Sequence, residues 1–368
     1  MISCLVLSRY GLLGASSRVR FGQYFEALAR EGIACRLSPL LPDAYLPLRY
    51  RDDPRRYAYA LIGYIERVWS LLRARAYDVV WVEGELFPGM PAFFEGLLAR
   101  MGTPYVVDYD DALFHKYDHL SKGLLGGLYR EKFSHLLTQS SGATAGNAYL
   151  EDLCLLNGAP AVTRVPSVVD IDHYIPQQSE PAEDRPLTIG WIGTPHTTKH
   201  LQLVEPALRR LDREFPLVLM TVGASPLEGY GVPIRQLPWS LESEVRLVNE
   251  MDIGIMPLTD EPFERGKCGY KLIQYMALAK PVVASPVGVN TEIVSPGTNG
   301  FLAKDEAGWF DALRELATSR DARIAMGAAG RTRVVDYFSV QAQVSTVARV
   351  LRAAARRGAS GIAFGDTK

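Results

Sequence analysis

The sequence lacks a long uncharged apolar run, although 48% of its 368 residues are hydrophobic. A membrane-spanning helix needs about 20 consecutive apolar residues, and no stretch of the chain approaches that length. The first residues, MISCLVLSRYG, have no charged lead and no small-residue cleavage site, so no secretion signal is recognised. We therefore expect a cytoplasmic protein that does not span a bilayer.

Closely spaced cysteines and an excess of one charge are also missing. The four cysteines lie far apart and form no Cys-x-x-Cys motif, which argues against a zinc site and a disulfide framework (Cys4, Cys35, Cys154 and Cys268). Forty basic residues nearly balance 41 acidic ones, and the formal charge of −1 removes the electrostatic case for a nucleic-acid binder. Any anion site must therefore be local.

Short apolar runs alternate with helical patterns along the first half of the chain. Runs at 2–8, 77–83 and 104–108 are typical of buried strands, and alternation of strand and helix predicts a parallel sheet covered on both faces. The loop after the first run contains Gly11 and Gly14 but not Gly-x-Gly-x-x-Gly, which disfavours a simple dehydrogenase. Ser16 or Ser17 either caps the next helix or lies where the loop approaches a ligand.

Three carboxylates follow the strand predicted at 104–108, namely Asp108, Asp110 and Asp111. Ligands of such sheets bind beyond the carboxyl ends of the strands. These side chains either orient a substrate hydroxyl or act as a base there, or they cap the next helix. A single acidic cluster is a weak metal signal.

A proline-rich segment at 168–186 has no periodicity and predicts a linker. A second series of strands and helices begins at 187, so we expect two Rossmann-like domains that face each other across a cleft. The predicted boundaries are 1–175 for an acceptor-side domain and 187–335 for a donor-side domain. The remaining residues, 336–368, predict a helix that crosses back to the first domain.

The stretch at 261–283 predicts a loop, a helix and a strand. A glycine-bearing loop at a helix start presents backbone N–H groups and the positive end of the helix dipole to an anion. Lys267 and Lys271 add countercharge for a diphosphate. The alternative is an ordinary entry into a helix with two solvated lysines.

A long helix predicted at 55–75 combines aromatic side chains with arginines. It is either a surface helix whose aromatics face the core or a face that contacts a membrane or an acceptor.

Four segments resemble the retaining GT-B glycosyltransferase family, group 1-like: PSVVDIDHYIP at 166–176, IGWIGTPHTTKH at 189–200, YKLIQYMALAKPVVASPVGVNTEIV at 270–294 and NGFLA at 299–303. The resemblance implies an α/β GT-B fold and a hexosyltransferase-like enzyme. Such an enzyme moves a sugar from a nucleotide-diphosphate sugar to an acceptor hydroxyl with retention, without a metal or other cofactor. It implies a role in polysaccharide, glycolipid or other glycoconjugate biosynthesis.

The same resemblance assigns candidate site residues. Lys199, with Lys267 or Lys271, is assigned to the diphosphate, Gln274 to the ribose, and Asp110 to the transferred sugar or the acceptor. Asp110 and Lys199 are the candidate catalytic residues. The further donor-binding candidates are Gly14, Gly193, Thr194, Glu264, Gly269 and Tyr270.

The sequence departs from the family pattern at four polar positions. The family's Arg is Thr194 here, its two Glu positions are Gly266 and Gln274, and its His is Asp110. Two alternatives stay open: a nucleotide-sugar epimerase or hydrolase, since the fold alone does not decide between these reactions, and a non-catalytic binding subunit, which the absent Glu pair indicates. The predicted partners are a nucleotide sugar and a sugar or lipid-linked acceptor, with salt-sensitive peripheral contact at the inner membrane face.

Overall fold

The computed structural model describes residues 1–118, 120, 126–177 and 185–362. The chain forms two compact units, Met1–Ser167 with the chain from Gln343 onward, and Val168–Ala342. Part of the predicted linker, 178–184, and the end of the predicted C-terminal segment, 363–368, lie outside the described residues.

The first unit contains a six-stranded parallel sheet in the order β2-β1-β3-β4-β5-β6. Its strands are β1 Ile2–Tyr10, β2 Ile33–Leu41, β3 Val79–Glu83, β4 Tyr105–Tyr109, β5 Gly142–Ala145 and β6 Val162–Arg164. Its helices are α1 Ala15–Arg20, α2 Phe25–Arg30, α3 Tyr45–Tyr50, α4 Arg56–Arg73, α5 Leu97–Arg100, α6 Lys132–Leu137 and α7 Ala148–Leu156. The helix expected at 91–101 is reduced to a 3₁₀ turn and α5, with Gly96 between them, because glycine disfavours a helix interior.

The second unit contains another six-stranded parallel sheet in the order β12-β11-β10-β7-β8-β9. Its strands are β7 Leu187–Ile192, β8 Leu217–Val222, β9 Ile234–Leu237, β10 Ile253–Met256, β11 Val282–Ala284 and β12 Gly300–Leu302. Its helices are α8 Glu205–Leu211, α9 Glu244–Asn249, α10 Pro262–Arg265, α11 Tyr270–Ala277, α12 Asn290–Ile293, α13 Glu306–Thr318 and α14 Arg320–Tyr337; α15, Val340–Ile362, continues into the first unit. The two sheets confirm the predicted α/β architecture.

The helix expected at 199–213 begins later than predicted. Residues Pro195–Leu203 form 3₁₀ turns, and the α-helix starts at Glu205. Pro206 suits the first helical turn, where its missing N–H would have no partner in any case. Lys199 therefore lies in the connection after β7 and not on the helix.

The start of the expected linker belongs to the second unit. Val169 pairs with Ser339 through a backbone bridge, and Tyr174 is buried in the hydrophobic core beneath α11. The segment is fixed because its apolar side chains are part of that core.

Helix α4 does not match the expected alternative in which its aromatic side chains face the core. Tyr57 and Trp69 do not face the core, since they are 64% and 58% exposed, whereas Tyr64 is half-buried and packs against Phe87. The buried face instead carries Gly63, Arg67 and Leu71. A Cβ on Gly63 would lie 1.8 Å from the Leu40 carbonyl oxygen, so only glycine allows this close approach to β2.

Strand order locates a crevice in each sheet. The chain leaves β7 toward β8 on one side, whereas β10 lies on the other, so the connections after β7 and β10 diverge at their carboxyl ends. The same arrangement occurs between β1 and β3. Ligands of open parallel sheets bind at such points. Within the described part of the chain, no helix is long and apolar enough to cross a bilayer.

Candidate active site

Three lysines meet where β7 and β10 end. The connection after β7 carries Lys199, whose Nζ lies 4.0 Å from Oε1 of Glu264 in α10. Lys271, in the first turn of α11, places its Nζ 5.3 Å from the ring centroid of Trp191 in β7. Lys267 lies between α10 and α11, with its Nζ 4.6 Å from the ring centroid of Phe263. The predicted diphosphate lysines thus all follow the carboxyl ends of two neighbouring central strands, β7 and β10.

A buried histidine lies among these lysines. His200 Nε2 is 3.6 Å from Glu264 Oε1, and both side chains are almost completely buried. Burial, reinforced by the charges of Lys199, Lys271 and Lys267, lowers the pKa of His200 to about 4. The imidazole is therefore neutral at physiological pH, and the positive charge of the site comes from the lysines. Sequence reasoning missed His200, because nothing in HTTKH distinguishes it from an ordinary core histidine.

Glu264 has one oxygen without a protein partner. Its Oε2 is buried and makes no hydrogen bond within the described residues. A buried acceptor without a donor costs about 1–3 kcal/mol. A ligand hydroxyl that donates to this atom would remove that cost.

Two glycines determine the backbone around the lysines. A Cβ on Gly193 would lie 2.5 Å from the Trp191 ring and 2.9 Å from Lys271 Cε. Gly269 has a φ of 67° as the residue before α11, which favours glycine. No side chain caps the start of α11, whereas the Thr194 side chain is used locally in a capping box with Thr197.

Gln274 is held in a buried polar network one turn further along α11. Its Nε2 donates to the Tyr174 hydroxyl at 2.9 Å, and that hydroxyl donates to Glu244 Oε1 at 2.5 Å. Trp239 Nε1 donates to the other Glu244 oxygen, and the hydroxyl of half-buried Tyr270 lies 3.2 Å from that of Tyr174. Gln274 is only 2% exposed, and the predicted ribose contact stays a prediction.

This network predicts how Gln274→Glu behaves. An ionised glutamate at this position would place a second carboxylate beside Glu244 and remove the donor to Tyr174, at a cost on the order of 3 kcal/mol at neutral pH. A protonated side chain restores the donor, so the deficit in melting temperature should shrink as the pH falls. Gln274→Ala is the control, with a deficit that does not depend on pH. Equal, pH-independent deficits for both variants would contradict the network.

The sequence placed Asp108 at the mouth of the crevice in the first unit, and this expectation is wrong. Asp108 is buried and accepts hydrogen bonds from Arg20 Nε at 2.9 Å, from Arg20 Nη2 at 2.7 Å and from Thr144 Oγ1 at 2.5 Å. Arg20 Nη1 also donates to the Val165 carbonyl. The carboxylate therefore joins α1, β4 and β5 as a structural group.

Glu83, at the end of β3, organises the glycine loop of the first unit. It accepts hydrogen bonds from the Ser16 hydroxyl at 2.6 Å, the Ser17 hydroxyl at 2.7 Å and the Arg9 N–H at 2.9 Å. The expectation that a serine caps the helix is wrong, since Gly14 occupies the position before α1. Sequence reasoning did not single out Glu83, because its partners are 66 to 74 residues away in the chain.

Asp110 follows β4 and is half-buried. Burial, followed by repulsion from Asp111 and Glu83, raises the pKa of the Asp110 carboxyl to about 8. At neutral pH this side chain is therefore mainly the neutral acid, which is able to donate a hydrogen bond.

The raised pKa of Asp110 gives a prediction for stability. Between about pH 4 and pH 8 the folded protein holds a proton that the unfolded chain has lost, so stability falls as the pH rises through this window. Asp110→Asn keeps the side chain neutral. The melting temperature of the variant relative to wild type should thus rise steadily from pH 4 to pH 8, whereas Asp311→Asn, at an exposed position of α13, should show no such trend. A difference that is constant with pH would contradict the shift.

Comparison with known proteins identifies part of the chain. Residues 186–319 match the family model described as glycosyl transferases group 1. The second unit carries a group 1 glycosyltransferase domain. None of the curated proteins compared with the sequence matches it.

Solved structures confirm the predicted GT-B fold across both units. The structure of HepE (Alr3699) from Anabaena in complex with UDP-glucose is similar, with a TM-score of 0.71 at 14% identity over 96% of this chain and 100% of that one. Sucrose-phosphate synthase from Thermosynechococcus elongatus gives 0.65 at 14% identity, over 96% and 98%. WaaG, a glycosyltransferase involved in lipopolysaccharide biosynthesis, gives 0.62 at 15% identity, over 95% and 99%.

The group 1 glycosyltransferase domain contains the lysines, Glu264, His200 and Gln274, whereas Gly14 and Asp110 lie in the first unit. Among the described residues, no group of three His, Cys, Asp or Glu side chains could hold a metal ion.

Proposed function

We propose that this chain is a glycosyltransferase that moves a sugar from a nucleotide-diphosphate sugar to an acceptor hydroxyl with retention at the anomeric carbon. The observation that carries the proposal is the convergence of Lys199, Lys267 and Lys271 around His200, which itself contacts Glu264, at the crevice of the second sheet. This cluster lies within the group 1 glycosyltransferase domain. A cationic group of this kind suits an anion with several charges, such as a diphosphate.

The chemistry of the transfer explains the arrangement. As the bond to the sugar breaks, negative charge develops on the departing diphosphate and positive charge on the anomeric carbon. The three lysines and the start of α11 stabilise the negative charge of the diphosphate. The backbone that carries Lys271 is held by Gly193, which packs against its side chain, and by Gly269, which precedes α11. In this proposal the free Glu264 oxygen accepts a donor-sugar hydroxyl, and Asp110, held neutral, donates a hydrogen bond to the transferred sugar or the acceptor.

The similar structures suggest where to look for substrates. HepE was solved with UDP-glucose, which makes UDP-hexoses the first donors to test. In this proposal the transferred group is a hexosyl group, and the acceptor is a sugar or a lipid-linked acceptor of glycoconjugate biosynthesis. The proposed reaction takes place in the cytoplasm.

Product analysis tests the proposal. The chain is incubated with a panel of nucleotide sugars and sugar acceptors, and the new linkage is analysed by proton NMR. We expect a glycoside with the same anomeric configuration as the donor. An inverted product would overturn retention, and rapid conversion of donor without an acceptor would favour an epimerase or hydrolase. Donor binding with no turnover on any acceptor would favour a binding subunit.

Transfer is also expected to survive EDTA. The proposed site holds the diphosphate with lysines and a helix start, which replace the cation that other transferases use. The measurement compares initial rates before and after chelation and again after addition of magnesium or manganese. A rate that falls with EDTA and returns with the metal would contradict the proposal and make Asp110 and Asp111 candidate ligands.

A further inference from the structure

Helix α4 carries a continuous apolar stripe on its solvent-facing side. At 100° per residue, the side chains cover an arc of about 140° without a polar residue. The stripe consists of Tyr57, Ala58, Leu61, Ile62, Ile65, Val68, Trp69 and Leu72. Its seven large side chains are between 44% and 66% exposed. A surface helix ordinarily turns such a stripe toward the core.

The stripe cannot turn inward without loss of the contacts on the opposite face. Gly63 lies against the β2 backbone, where a Cβ would overlap the Leu40 carbonyl. Arg67 is 1% exposed and donates to the Ser8 and Ser38 carbonyls. Because glycine and a buried arginine fix the inner face, the apolar side chains stay outward.

Positive charge lies at both ends of the stripe. Residues 49–75 contain seven arginines against three acidic residues, in a chain whose formal charge is −1. Five of these arginines are exposed, three before the helix and two at its end, and Arg55 among them is paired with Asp53: Arg49, Arg51, Arg55, Arg73 and Arg75. The Arg56 guanidinium lies over the Tyr57 ring, 4.8 Å from its centroid.

We propose that α4 is a docking surface for an anionic phospholipid bilayer, in which the helix lies parallel to the membrane plane with the stripe buried among the acyl chains. Apolar faces of this width, flanked by arginines and carrying tyrosine and tryptophan, suit the boundary between headgroups and chains. At 18 residues the helix is about 27 Å long, so exposed arginines at each of its ends are positioned to contact lipid headgroups. The charge also disfavours a second copy as the occupant, because a symmetric pair would bring two basic segments together.

This docking does not depend on the proposed transfer reaction, and its test needs no substrate. The full chain is floated with vesicles of phosphatidylcholine and phosphatidylglycerol, and with phosphatidylcholine alone, at low and high salt. We expect flotation with the anionic vesicles that weakens at high salt but persists, since the stripe contributes a salt-independent part. No flotation at low salt would overturn the proposal, as would equal binding to neutral vesicles or complete loss at high salt.

Matched variants locate the surface. Leu61→Asp and Ile65→Asp should each reduce the vesicle partition coefficient about tenfold. The same change at Leu156 on α7 and Ile324 on α14, which are also exposed, should leave it unchanged. Melting temperatures of all four confirm that they fold. Equal losses in both pairs would overturn the assignment to α4.

A fluorescence measurement gives the depth of the helix. Vesicles with brominated acyl chains should quench Trp69, because the other four tryptophans are buried or half-buried (Trp81, Trp191, Trp239 and Trp309). Trp69→Phe should abolish the quenching while flotation persists. Quenching that survives this change would place another surface in the membrane.

Sedimentation velocity tests whether a second copy of the chain occupies the stripe instead. A dimer that Ile65→Asp dissociates would overturn the proposal in favour of a second copy.

Discussion

Lys271→Ala is expected to lower kcat/KM for the nucleotide-sugar donor by about 10- to 150-fold, and Lys199→Ala by a similar factor. A hydrogen bond to a charged group contributes about 1.5–3 kcal/mol, and each 1.4 kcal/mol corresponds to a factor of ten. The double variant should lose more than either single one, because both lysines act on the same diphosphate. The kcat/KM values are measured by steady-state kinetics with the donor that product analysis identifies.

Two controls separate a role in the site from general loss of charge. Lys304→Ala removes an exposed lysine of the same unit and should leave kcat/KM unchanged. His200 reports the electrostatics independently, since loss of Lys199 and Lys271 removes two charges that lower its pKa. An NMR titration of the double variant should therefore show a higher His200 pKa. Wild-type kinetics together with an unchanged His200 pKa would remove the two lysines from the site.

Asp108→Ala is expected to lower the free energy of unfolding by about 3–5 kcal/mol. The substitution leaves the Arg20 guanidinium, 1% exposed, as a buried charge without its carboxylate. It also removes the acceptor for the Thr144 hydroxyl. Urea unfolding at neutral pH, with the midpoint and slope fitted together, measures the loss.

The matched control is an ion pair on the surface of the same unit. Glu26 and Arg30 are one turn apart on α2, with both side chains mostly exposed. Such pairs contribute about 0–1 kcal/mol, so Glu26→Ala should have a small effect. If Asp108→Ala cost no more than Glu26→Ala, the buried pair would not be a structural link between α1 and β4.

The sequence predicts the strands and the lysines for identifiable reasons. Buried parallel strands are short apolar runs between turn residues, and such runs remain visible without any tertiary information. Lys267, Gly269 and Lys271 are close in the chain, so the loop and helix start that bring them together are local. Lys199 could be assigned to the site only through the resemblance to the family, because its proximity to Glu264 depends on the strand order of β7 and β10.

The remaining features depend on contacts between distant residues. Gln274 donates to Tyr174, 100 residues away, and Glu83 accepts from serines in the loop after β1. The outward face of α4 depends on Gly63, which looks like an ordinary weak point in a helix until its contact with Leu40 is known. Sequence periodicity predicts that an apolar stripe exists, but it does not say whether the stripe faces the core or solvent.

Calorimetric titration of the full chain with nucleotides tests the central claim most directly. The titrants are UDP, UMP and uridine, with GDP and ADP for the choice of base, and the proteins are wild type, Lys199→Ala/Lys271→Ala and Lys304→Ala. We expect one nucleoside diphosphate to bind wild type and Lys304→Ala equally, its monophosphate to bind more weakly, and the double lysine variant to lose the advantage of the diphosphate. Equal affinity for diphosphate and monophosphate in wild type, or a double variant that binds the diphosphate as tightly as wild type does, would contradict a diphosphate site at these lysines.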